Sequence, residues 1–72
     1  MQPKFNLNQK IWFIDARTLQ IRRGTIIALD WYTTVKVPDE PDYLVRDGQG
    51  SLCWFFESYL HLTKQEARKS YD

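Results

Sequence analysis

The sequence predicts an all-β fold, a small barrel of about five short strands with a short C-terminal helix. Three observations point there. Runs rich in β-branched and aromatic residues recur along the chain, divided by Gly-, Pro- and Asp-bearing turns. One of these runs is long and carries a glycine in its middle, as a strand does where it bends or packs closely. The helical period appears only near the C-terminus, behind a capping pattern.

Residues 10–15 (KIWFID) are the first run of β-formers, and 21–34 (IRRGTIIALDWYTT) the second, with 16–20 as the loop between them. Gly24 marks a bulge or a sharp bend in the second strand. Residues 37–42 (VPDEPD) form a surface loop, because two prolines cannot donate to a ladder and the acids favour water. Residues 43–47 and 51–56 pair as a hairpin across Asp47-Gly48-Gln49-Gly50. Residues 58–62 (SYLHL) suit either one helical turn or a short closing strand. Thr63 and Glu66 have capping-box spacing and open a helix over about 64–70. Ile11, Phe13, Ile26, Val45 and Leu60, apolar positions spread over all the proposed strands, are expected in the core, with Trp12 and Ile14 inside instead if the first strand's faces are reversed. Together these elements describe an SH3-like barrel over about 5–62, in a single domain spanning 1–72. An OB-fold is the main competitor, and it wants a longer chain with a helix between its middle strands.

Two stretches carry a resemblance. Lys10-Ile11-Trp12-Phe13-Ile14 followed by Arg23-Gly24-Thr25-Ile26 resembles the first two strands of SH3-like barrels of the Tudor and KOW type. Glu57-Ser58-Tyr59-Leu60, then Thr63-Lys64-Gln65-Glu66-Ala67, resembles the ending of small prokaryotic and phage proteins of that fold, an E-x-x-L…T-K-x-E-A pattern. The resemblance implies the barrel and its terminal helix. It assigns no functional residue.

Composition bounds the function. The longest apolar run, residues 52–56, falls far short of the roughly 20 residues of a membrane span. A polar N-terminus lacks the apolar stretch of a signal peptide, so a cytoplasmic location is expected. One cysteine excludes an internal disulfide. With a single Cys and a single His, a structural zinc site lacks its ligands. Asp39, Glu40 and Asp42 lack the spacing of a calcium loop, and no glycine-rich phosphate loop is present. Cys53 and His61 have no orienting third residue, and Cys53 is expected to fill core space. The chain therefore reads as a non-enzyme without cofactor or metal.

Binding has better material. Eleven residues are aromatic, while a domain of about 60 residues buries only about 60% of its unfolded surface. Trp31-Tyr32 and Trp54-Phe55-Phe56 are consecutive, so strand alternation must turn some rings outward. The competing reading packs the extra rings beneath the C-terminal helix, with Tyr59 and Tyr71 as a lid. The expected site is a protein-docking surface of Trp31, Tyr32 and Trp54 flanked by Arg22 and Arg23, with homo-oligomerisation open. An aromatic cage for a methylated or peptide ligand is a related alternative.

The other alternative is nucleic acid. Residues 1–36 hold six basic groups against two acids, whereas 37–63 hold five acids against Arg46. A basic face of Lys10, Arg17, Arg22 and Arg23 would meet phosphates while an exposed ring stacks on bases. Neutralisation of the two halves across neighbouring strands is the simpler account of that polarity.

Overall fold

The computed structural model describes residues 3–30 and 41–71 of the chain. The fold is mostly β. Strands β1 (Lys10–Asp15), β2 (Gln20–Asp30), β3 (Asp42–Asp47) and β4 (Leu52–Phe56) precede a 3-10 turn (Glu57–Tyr59) and helix α1 (Lys64–Tyr71). The strands form one open antiparallel sheet in the order β1-β2-β3-β4. The ambiguous segment before α1 divides into the 3-10 turn and a single bridge, at which Trp12 and His61 exchange N–H···O bonds of 2.8 and 2.9 Å. The expected fifth strand is thus reduced to one residue pair. The end of the second run and residues 37–40 lie outside the described residues, whereas Pro41 and Asp42, expected in the surface loop, are buried, Asp42 as the first residue of β3.

Alternation sorts the side chains by face. Ile11, Phe13, Ile26, Val45 and Leu60 are all buried, joined by Phe5, Tyr43 and Ala67. Phe5 meets Tyr43 edge-on with centroids 5.5 Å apart, and Phe13 tilts against Phe55 at 4.8 Å. The second contact carries β1 across the core to β4.

Gly24 stays in register, opposite Ile11 on β1 and Asp47 on β3. The irregularity falls instead between Ile26 and Ala28, where β2 gains one residue on β3. What Gly24 supplies is space: a Cβ there would collide with Val45 Cγ1 and lie 3.2 Å from both Phe13 Cε1 and Arg46 O. The β3–β4 turn likewise uses its second glycine. Gly50 has φ 86° and donates to Asp47 O at 3.1 Å, which is a three-residue loop with a left-handed final residue. Asp47 Oδ1 accepts from the N–H groups of Gln49 and Ser51. At α1, Thr63 Oγ1 accepts from Glu66 N at 3.1 Å, the cap that the spacing predicts. The helix packs against β1 and β2, and its Ala67 is buried.

Candidate functional site: an aromatic cleft beside the β4 edge

Directly opposed residues of β3 and β4 share a face, so Tyr43, Val45, Cys53 and Phe55 look inward. Leu44, Leu52, Trp54 and Phe56 look outward. Trp54 is 48% exposed and Phe56 42% exposed. The 3-10 turn then brings Tyr59, 60% exposed, to within 6.2 Å of the Phe56 ring. These rings line a cleft of about 810 Å³ with Ile14, Ala16 and Leu19 from the β1–β2 connection. Its polar groups include Ser58, His61 and Ser70.

Two devices hold the walls. Glu57, which starts the 3-10 turn, accepts from Tyr43 Oη at 2.6 Å and from Lys4 N at 2.9 Å. Phe5 N donates to the same phenol at 3.2 Å. Burial, and then the Glu57 carboxylate, push Tyr43 from the ordinary 10.0 to about 12. On the opposite wall, Asp15 O accepts from Leu19 N at 2.6 Å and Asp15 Oδ1 from Arg17 N at 2.9 Å. That amide bond first, and the Arg17 and Arg22 guanidinium groups after it, hold the Asp15 carboxyl below its usual value.

The expected site residues separate. Trp54 is in the cleft, whereas Trp31 and Tyr32 lie outside the described residues. Arg22 and Arg23 point to opposite faces and neither lines the cleft. Arg22 shares the face of Phe13, with Nε 3.1 Å from Asp15 Oδ2. Arg23 lies beside Trp12, its guanidinium 5.6 Å from the ring centroid, and Lys64 Nζ approaches the same ring at 5.9 Å. Cys53 faces inward but is exposed, contrary to expectation, because β4 lies at the sheet edge and the core thins out at its end. Tyr59 is no lid under α1, since it stands in solvent. Sequence reasoning missed Phe56, Tyr59 and Leu19 as site residues. The signal for Tyr59 was available, as a ring three residues beyond Phe56 comes alongside it once the chain makes a helical turn.

The chemistry on offer is modest. Ser70 Oγ is 3.3 Å from His61 Nε2, but its proton goes to Ala67 O at 2.8 Å. The hydroxyl is therefore left to accept from the imidazole, the reverse of what nucleophile activation requires. Among the described residues, no three His, Cys, Asp or Glu side chains converge as metal ligands. No helix there is long and apolar enough to cross a membrane.

No protein-family model, no curated protein and no solved structure matches the chain.

Proposed function

We propose that the chain is a non-catalytic docking module that holds a partner protein on the Trp54–Phe56–Tyr59 surface. The observation that carries this reading is the convergence of three half-exposed rings, with exposed Leu19, on one cleft. Rigid aromatic side chains bind with little loss of conformational freedom and supply a large share of interface affinity. Trp31 and Tyr32 remain candidates for the same surface. An SH3-like closure of the sheet belongs to this proposal too, supported by the Trp12–His61 bridge, the 3-10 turn before it and the Phe13–Phe55 contact. The test is affinity capture from host extract with the wild-type chain and the Trp54→Ala/Tyr59→Ala double variant, with melting curves for both. Capture should be lost while the melt is preserved. Equal capture by the double variant refutes the reading.

One observation favours a second reading, nucleic-acid binding. Across three strands Lys10, Thr25 and Arg46 form one outward row, with Trp12 and Arg23 nearby. Lys10, Arg23 and Arg46 make no ion pair among the described residues, where the salt bridges are Arg17 and Arg22 to Asp15. Cross-strand neutralisation does not extend to them among the described residues. A labelled single strand should then bind with affinity that falls as salt rises, about 0.7 log units per log unit of salt for each phosphate contacted. Arg23→Glu with Arg46→Glu should flatten that slope. Binding that is absent or insensitive to salt removes this reading.

A further inference from the structure

Among the described residues the edge of β4 is bare in a way sheet edges seldom are. Among the described residues β4 pairs with β3 alone. It carries neither charge nor proline, Leu-Cys-Trp-Phe-Phe throughout, so it lacks the usual protections against pairing with another strand. The direction of its free backbone groups follows from the turn. Asp47 N donates to Ser51 O at 3.0 Å, which makes 47 and 51 a bonded pair. Alternation along an antiparallel ladder then turns Cys53 and Phe55 toward β3, and leaves the N–H and C=O groups of Leu52, Trp54 and Phe56 pointing outward. Those same residues present their side chains on the exposed outer face.

We propose that this edge pairs with β4 of a second copy of the chain, antiparallel, about a two-fold axis at Trp54. This rests on the docking reading of the same surface and names its occupant. In that register Trp54 lies opposite Trp54, Leu52 opposite Phe56 and Cys53 opposite Phe55, so every strand position meets an apolar residue. Ser51 falls opposite Glu57, the nearest charge, whose carboxylate already accepts from Tyr43 and Lys4. No like charges meet anywhere along the pair. The outward-pointing residues are the ones that exchange bonds in this register, Trp54 with Trp54 and Leu52 with Phe56. A self-complementary strand with its bonding groups in phase is what a two-fold interface requires. Shifting the axis to Cys53 brings Gly50 opposite Phe56 and puts the inward-bonding residues at the junction.

Sedimentation of the full chain over a range of concentrations tests the proposal, and should give twice the 8.7 kDa chain mass. Trp54→Pro removes an outward N–H that β3 does not use, a placement edge strands tolerate, and should give a folded monomer. Should that variant not fold, Trp54→Lys sets like charges across the axis and should likewise halve the mass. The register is read by cysteine linkage in a Cys53→Ser background. Trp54→Cys should give a disulfide-linked dimer on mild oxidation, since bonded pairs lie about 5.5 Å apart at Cα. Leu52→Cys, which faces Phe56, should not. Three results overturn the proposal: a wild-type monomer at every concentration, a dimer that survives both Trp54→Pro and Trp54→Lys, or linkage through Leu52→Cys alone. A monomer that binds an extended peptide, and loses it in Trp54→Pro, also replaces the second copy with another occupant. Any of these leaves the docking reading itself to the capture experiment, whose failure is seen separately as unchanged capture by Trp54→Ala/Tyr59→Ala.

Discussion

Tyr43 and Glu57 join the centre of the sheet to the turn that carries the cleft. The phenol donates to Glu57 Oε2 at 2.6 Å while accepting from Phe5 N, and the tyrosine is fully buried. One hydroxyl thus satisfies three segments: the N-terminus, β3 and the 3-10 turn.

Tyr43→Phe deletes that hydroxyl and leaves the Phe5 amide without its acceptor. The loss should be about 1–3 kcal/mol, read by urea denaturation, because a buried donor is stranded. Loosening of the turn that carries Tyr59 should also red-shift the tryptophan emission, as Trp54 beside it gains contact with water. An unchanged denaturation midpoint contradicts this account.

The same residue sets an alkaline limit. Its folded pKa is raised, so its contribution is complete below the ordinary 10.0 and disappears as pH climbs through about 12. Melting temperature should fall across that window, and tyrosinate absorbance that is missing from Tyr43→Phe should appear at about 12. In Tyr43→Phe this part of the alkaline decline should be missing.

Asp15 works in the opposite direction. Its folded pKa lies below the usual 3.8, so it stabilises above that value and the benefit fades as pH falls through the lowered pKa. Asp15→Asn should flatten the acid limb of the stability profile. Thermal melts from neutral to acid pH measure it, and an unaltered acid limb counts against the Arg17 amide bond as the cause.

Gly24→Ala should be costly for want of room. The added methyl meets Val45 and Phe13 side chains and a backbone carbonyl, and overpacking of this kind costs about 1–3 kcal/mol. Gly48→Ala is the control, with nothing within 4 Å of the new atom. Equal denaturation midpoints for the two variants exclude a packing role for Gly24.

Local rules made much of the fold legible. Period two puts Ile11 and Phe13 on one face of β1 and Trp12 and Ile14 on the other, and the burial of Ile11 and Phe13 makes theirs the inner one. Thr63 and Glu66 state their own cap. The deeper parts depend on partners distant in sequence. Tyr43 shares the inner face of Val45 by alternation, but its hydroxyl meets an amide 38 positions away and a carboxylate 14 away, and no spacing rule sees those partners. Cys53 sits on the inner face as alternation requires, yet nothing local reveals that the core runs out before reaching it. Trp54 was visible as a surplus ring, while the cleft beside it exists only because the β1–β2 turn folds across to form the other wall.

Leu19 has φ 58° and is 59% exposed at the rim of that wall. Glycine or asparagine would hold this left-handed turn with less strain, and would keep no apolar side chain in water. Selection for stability alone would favour replacing it. A leucine at this position sets two demands against each other, a relaxed hairpin or a greasy rim, and the chain has the rim. Leu19→Gly should therefore melt higher and, on the docking proposal, capture less partner, a separation of robustness from recognition within one side chain.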